Sequence, residues 1–238
     1  VTKRILVIGA SGDIGQGIAR GAQANGFRVV ASGRDGDRLA EIYGGSDIAT
    51  VIGDVASGQG AKALWDAAQV PFGGIDAVIV TVNAPNAGKP LQAFSAGELA
   101  GIFADNVLTH FNACTAMIPH LARDQMLIGI GGGTADFILP NMAQLSMMQA
   151  AQRMLYKGLA KENRNGPHIR ELMLISMING ARKRTVAEPH WVLDTEVGDH
   201  ICAIINDPAA FPGPILRLES REQIGLPETR PATGRLPA

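Results

Sequence analysis

The stretch Ile5-Leu6-Val7-Ile8-Gly9-Ala10-Ser11-Gly12-Asp13-Ile14-Gly15 decides the fold. Four apolar residues run into a turn with glycine at every third position, and Asp13 to Asn25 then reads as a helix that stops at Gly26. A short run that is apolar at every position fits a strand buried on both faces of a parallel sheet, where helices cover both sides. At the strand-to-helix junction Gly9 permits a tight turn. Gly12 lets backbone approach a pyrophosphate, and Gly15 lets the helix pack on the sheet. Free N–H groups at the helix start face the anion. Gly9, Ser11, Gly12, Asp13, Ile14 and Gly15 are therefore the candidate phosphate cradle, with a plain strand-to-helix turn as the alternative. No Gly-Lys-Ser or Gly-Lys-Thr follows, which disfavours a nucleoside triphosphatase.

The same alternation continues along the chain. Strand-length runs fall at Arg28 to Ser32, Ile48 to Ile52, Asp76 to Thr81, Gln125 to Ile130, Arg170 to Ile175 and Pro214 to Leu218. Helix-period segments lie between them: Asp37 to Tyr43, Ser57 to Gln69, Ser95 to Leu121, Pro140 to Lys161 and Thr195 to Asn206. Strands alternating with helices predict right-handed crossovers and a doubly wound parallel sheet in a three-layer α/β/α arrangement. No linker composition interrupts the pattern, so residues 1–238 read as one domain. The tail, with Pro227, Pro231 and Pro237, reads as extended loop.

Composition narrows the function. The 238 residues carry 21 Lys plus Arg against 22 Asp plus Glu, a net charge of −1, which argues against gripping a nucleic-acid backbone. No apolar run reaches membrane-spanning length. Two cysteines, Cys114 and Cys202, without paired spacing fit a reduced, cytoplasmic protein. The five histidines show no ligand spacing, so no metal is expected.

The second strand ends Ala31-Ser32-Gly33, and Arg34 follows where many dinucleotide sites place an acid for a ribose hydroxyl. Arg34 suits a 2′-phosphate and favours NADP(H). Asp35 beside it keeps NAD(H) open, and a solvated loop charge is the other reading of Arg34. Asp54, after the third strand, suits either an adenine contact or a helix cap.

The series Gly9-Ala-Ser-Gly-Asp-Ile-Gly15, Gly53-Asp54-Val55, Val82-Asn83-Ala84-Pro85 and Asn106-Val107 resembles the short-chain dehydrogenase/reductase family, as does the order of elements over residues 3 to 218. The resemblance implies a seven-stranded Rossmann sheet, NAD(H) or NADP(H) as cofactor, a small organic carbonyl or alcohol as substrate, and a homodimer or homotetramer joined through the two long helices. It implies cofactor contacts at Asp54, Val55, Asn83 and Ala84, and a steadying role for Asn106. The family's chemistry rests on a Ser, a Tyr and a Lys one helical turn beyond the Tyr. The Lys lowers the Tyr pKa so that the phenol can exchange a proton with the carbonyl oxygen. Aligned from Pro140, those positions hold Gly132, Leu145 and Gln149. The chain's only tyrosines, Tyr43 and Tyr156, are followed four residues on by Asp47 and Ala160, so no shift restores the pair.

Replacement chemistry has few candidates. Thr134 and Asp136 follow the fifth strand, and carboxyl ends of strands face ligands in such sheets. Asp136 suits an acid or base, or a solvated carboxylate. Gln149 suits a hydrogen bond to a ribose or substrate oxygen, or neutral packing. His110, one turn beyond Asn106 on an apolar helix face, reads as a satisfied core residue, and Met147-Met148 as core filling. Arg182-Lys183-Arg184 reads as a solvated charge run, with recognition of an acidic substrate as the alternative. Three functions remain: a reductase with altered catalytic residues, a non-redox lyase, isomerase or cyclase on the same scaffold, and an inactive nucleotide-binding sensor or partner subunit.

Overall fold

The runs Ile5 to Ile8 and Ala77 to Val80 are apolar throughout because each central strand feeds two cores. In a computed structural model, which describes residues 2–84 and 88–227, β1 (Arg4–Ile8) sends Ile5 and Val7 to one side and Leu6 and Ile8 to the other. β4 (Ala77–Val80) does the same with Ala77 and Ile79 against Val78 and Val80. Pro85, Pro231 and Pro237 lie outside the described residues.

The remaining strands are β2 (Arg28–Gly33), β3 (Ala49–Ile52), β5 (Met126–Gly132), β6 (His168–Leu174) and β9 (Ile215–Leu218). Together they form a seven-stranded sheet in the order β3-β2-β1-β4-β5-β6-β9. Every pairing is parallel, with Ile5 opposite Val29 on one flank and Ala77 on the other. Two short strands, β7 (Ile178–Asn179) and β8 (Val192–Leu193), pair separately.

Helices α1 (Asp13–Ala24), α2 (Gly36–Tyr43) and α7 (Asp194–Asn206) supply Ile18, Leu39 and Ile201 to the first core. α3 (Gly58–Ala68), α5 (Thr109–Met117) and α6 (Ala143–Glu162) supply Leu64, Met117 and Tyr156 to the second. The chain runs outward from β1 through β2 to β3, then crosses to β4. That reversal opens a crevice at the carboxyl ends of β1 and β4, where ligands bind in open sheets of this kind.

Two elements differ from the sequence reading. The helix expected from Ser95 to Leu121 is α4 (Ala96–Phe103), a π-helical turn at Ala104–Leu108, and then α5, closed by a 3-10 turn at Ile118–His120. In the π turn Asn106 Nδ2 donates to Ile102 O at 2.9 Å, and just beyond it Thr109 Oγ1 donates to Asp105 O at 3.0 Å. Side-chain bonds of this kind compete with the regular helical ladder, and Pro119 brings no N–H with which to continue it. Second, α6 starts at Ala143 instead of Pro140, because Asn141 takes a φ of 61° that a helix cannot include.

Candidate functional site

The first turn is built by mutual exclusion. Gly9 has a φ of +84°, and a Cβ there would come within 2.7 Å of Thr81 Oγ1. A Cβ on Gly15 would strike the Gly9 carbonyl. Glycine is therefore required at both ends of the turn. Polar side chains from distant parts of the chain then pin it. Thr81 Oγ1 donates to Ile8 O at 2.9 Å and to Gly9 O at 3.1 Å. The buried Tyr43 hydroxyl donates to Ala10 O at 2.7 Å, and Gln16 Nε2 donates to Ser11 O at 3.1 Å.

The neighbouring turns are fixed the same way. Asn106, 3% exposed, accepts from Ala84 N at 3.0 Å. Asn112 Nδ2 donates to Val55 O at 3.0 Å. His110 bonds Val82 O through Nε2 and the Tyr156 hydroxyl through Nδ1, both at 2.9 Å. A carbonyl only accepts, so Nε2 carries the hydrogen and Nδ1 receives the phenol's. Burial pushes the His110 pKa down to about 4, which keeps the ring neutral.

These turns enclose a cleft of about 340 Å³ over the switch point, lined by Gly9, Ser11, Gly12, Arg34, Asp54, Val55, Asn83 and Ala84. Thr81, Asp105 and Thr109 line it too, and sequence reasoning missed them. Arg34 is exposed, with no carboxylate at ion-pair distance among the described residues. Ser11 Oγ lies 3.2 Å from the point a Cβ on Gly33 would occupy, placing it beside the same turn. Asp35 is engaged elsewhere. As N-cap of α2 its side chain accepts from Arg38 N at 3.0 Å. Asp54 accepts from Ala56 N at 2.9 Å, closing a local turn.

One sequence candidate, Asp136, requires correction, and two others, Asp13 and Ile14, turn their side chains away from the cleft. The Asp13 carboxylate does not face the cleft. It accepts from Arg182 N at 3.1 Å and pairs with the Arg182 guanidinium at 3.5 Å. Ile14 packs its side chain against the core beneath α1, so these two offer a ligand only their backbone. Asp136 does not suit a proton donor. It is ion-paired to Arg153 and, at 2.7 Å, to Arg217, and both guanidiniums hold its pKa below the usual carboxylate range. Near neutral pH it is an ion already committed to its partners.

Other groups found different surroundings. Arg184 pairs with the buried Asp194 at 3.3 Å, and Lys183 lies over the Trp191 ring, so the basic run straps its own segment down. Met148 is core, but Met147 is 45% exposed.

The reaction half of the site gathers Gly132, Thr134 and Gln149. Gln149 Oε1 accepts from Gly132 N at 2.5 Å, and a Cβ on Gly132 would sit 3.4 Å from that oxygen and 3.9 Å from Thr134 Oγ1. Leu145 is one turn away on α6. Neither phenol is available here. Tyr43 is spent on the first turn, and Tyr156 is fully buried against His110 with its pKa raised well above the ordinary value by burial. Among the described residues no helix is long and apolar enough to cross a membrane, and no group of three or more His, Cys, Asp or Glu could hold a metal ion.

Known proteins share this architecture. A family model described as short chain dehydrogenase matches residues 3–169. The chain is 31% identical over 174 residues to the 3beta-hydroxysteroid dehydrogenase 1 of Eggerthella lenta, covering 67% of this chain and 64% of that protein's length. Among solved structures, a dehydrogenase/reductase from Sinorhizobium meliloti superposes with a TM-score of 0.79 at 18% identity over 93% of this chain and 96% of that one. A short chain dehydrogenase from Burkholderia cenocepacia in complex with NADP gives 0.78 at 18% identity over 92% and 98%. At that identity the structural likeness speaks for the fold.

Proposed function

The chain belongs to the short-chain dehydrogenase/reductase family, and from that premise we propose that it binds NADP(H) and acts on a small organic carbonyl or alcohol without the family's Ser, Tyr and Lys. The observation that carries the cofactor choice is Arg34, a guanidinium on the cleft with no carboxylate partner, while the neighbouring Asp35 is consumed as a helix cap. A 2′-phosphate supplies the counter-charge Arg34 lacks, and Ser11 stands ready to donate a hydrogen bond to it. Gly12 leaves the first turn without a side chain, and the N–H groups at the start of α1 suit the pyrophosphate. The residues present thus fit a dinucleotide. When bound, its nicotinamide supplies hydride chemistry.

The chain's own contribution is to hold the cleft in shape. Asn106 and His110 fix the Val82–Ala84 backbone, and Gln149 fixes the end of β5. With Asp136 ionised and both phenols buried, a proton for a carbonyl oxygen comes from water or from the substrate itself. The Gln149–Gly132 bond, which uses up two polar groups of the reaction half, favours a second reading in which nucleotide is held without turnover. Lyase, isomerase or cyclase chemistry is the non-redox variant. We take the chain to work in the cytoplasm as a homodimer or homotetramer. The exposed Phe103, Phe111 and Met154 on the long helices support that assembly.

Fluorescence titration with NADPH and NADH, followed by absorbance with a panel of ketones, tests the reading. NADPH should bind more tightly, and Arg34→Gln should weaken NADPH by about tenfold while leaving NADH unchanged. Equal affinity for the two in the native protein refutes the assignment. Tight NADPH binding with no absorbance change selects the second reading.

A further inference from the structure

Most arginines among the described residues are ion-paired. Of the six that are not, Arg20 bonds the Ile42 carbonyl and Arg28 lies over the Phe72 ring; Arg34 lies on the dinucleotide cleft, and Arg123, Arg164 and Arg170 gather at the opposite end of the sheet. There a second cleft of about 620 Å³ opens at the amino ends of β5, β6 and β9. Arg123 comes from the turn before β5, Arg164 from the segment after α6, and His168 and Arg170 from β6 itself.

Arg170 is 8% exposed. Its guanidinium donates to the carbonyls of Gly213 and, at 3.0 Å, Pro208, and its Nε has no partner. Among the described residues no carboxylate lies at ion-pair distance from it. A buried cation without a counter-charge is costly, and two carbonyl dipoles offset only part of the lost hydration. The one acid on the cleft is Asp124, against three guanidiniums. Half-buried His168 senses the imbalance. Burial and the positive charges of Arg170 and Arg123 lower its pKa, and only Asp124 opposes them.

We propose that this cleft is a binding site for a phosphate-bearing small molecule, separate from the dinucleotide cleft and at the opposite end of the strands from it. A phosphate presents several acceptor oxygens to the two exposed forked donors of Arg123 and Arg164, which suits guanidinium better than ammonium. The exposed Arg123 and Arg164 close on the anion, and Arg170, anchored by backbone carbonyls, forms the fixed floor of charge. The volume leaves room for the organic part of a phosphate ester.

His168 is the natural reporter. Its imidazole resonance, identified with His168→Gln, is followed by NMR while the full chain is titrated with inorganic phosphate and, separately, with ribose 5-phosphate, ionic strength being held constant with sodium chloride. The expected result is a saturable shift, with the His168 titration midpoint rising as the anion offsets Arg123 and Arg170. Arg123→Gln combined with Arg164→Gln should weaken binding by about tenfold. Both residues are exposed and without hydrogen-bond or ion-pair partners, so the fold is retained, which a circular dichroism melt verifies. Arg34→Gln should leave the response intact, separating this site from the dinucleotide cleft. Tighter binding of the ester than of free phosphate identifies a phosphorylated metabolite as the source, and equal binding identifies phosphate itself. No saturable shift at millimolar phosphate, an equal shift with chloride, or an unchanged response in the double variant overturns the proposal.

Discussion

Replacing Glu171 by glutamine should shift stability in the variant's favour by an amount that grows between pH 4.5 and about 7 and is constant above. Glu171 is 1% exposed on β6, with Oε1 accepting from Gln152 Nε2 at 2.9 Å and Oε2 buried without a partner. Burial raises its pKa from 4.5 to about 7, against the downward pull of Gln152 and Arg153. Between those values the unfolded chain releases the proton and the folded chain keeps it, so stability falls as pH rises through the window. It is fully present below 4.5 and lost by about 7. A shift of 7 − 4.5 = 2.5 units corresponds to about 3 kcal/mol. For a domain of this size that is about 6–12 °C in Tm.

Glutamine keeps the acceptor for Gln152 and never ionises. Any fixed cost of its amide is the same at every pH. The assay is calorimetry of native and Glu171→Gln protein at pH 5, 7 and 9, reading the difference in Tm. His110 and His200, whose pKa values burial lowers to about 4, make both proteins lose stability as pH falls below 6.5. That loss cancels in the difference. A difference that stays flat from pH 5 to 9 would refute the claim that a buried carboxyl is held protonated there.

Other substitutions test the packing and the site. Gly129→Ala puts a methyl group into the Tyr156 ring and should cost about 1–3 kcal/mol, measured as a lower urea midpoint. Asp136→Asn should leave the pH profile of any turnover unchanged, because the carboxylate already bears its charge for Arg153 and Arg217. Its effect on stability should stay under about 1 kcal/mol, since the pairs are partly solvated. Leu145→Tyr with Gln149→Lys and Gly132→Ser should raise ketone reduction, read by NADPH absorbance, and a folded triple variant without gain would show that these positions do not flank the nicotinamide.

The sheet was legible because its causes are local. Ile5 to Ile8 and Ala77 to Val80 are apolar throughout, and Gly9 and Gly15 punctuate the first turn. What pins that turn was not legible. Tyr43 reaches Ala10 over 33 positions and Thr81 reaches Gly9 over 72, and no periodicity marks such a pair. Asp136 misled for the same reason: its neighbours in sequence are uncharged, whereas Arg217 stands 81 positions away. The π turn at Ala104–Leu108 hid in a stretch whose spacing of three and four suits a regular helix equally well. One signal went unread. Gly129 and Gly131 in β5 are small because the Tyr156 ring and the Glu171 carboxyl occupy the space above them.

The bond between the Gln149 side-chain carbonyl and the Gly132 amide also makes the three positions unequal to substitution. Replacing Gln149 by lysine removes the acceptor of the Gly132 amide and sets a cation beside that donor in a single step. Exchange at this position alone therefore carries a local penalty that exchange at Gly132 or Leu145 alone does not.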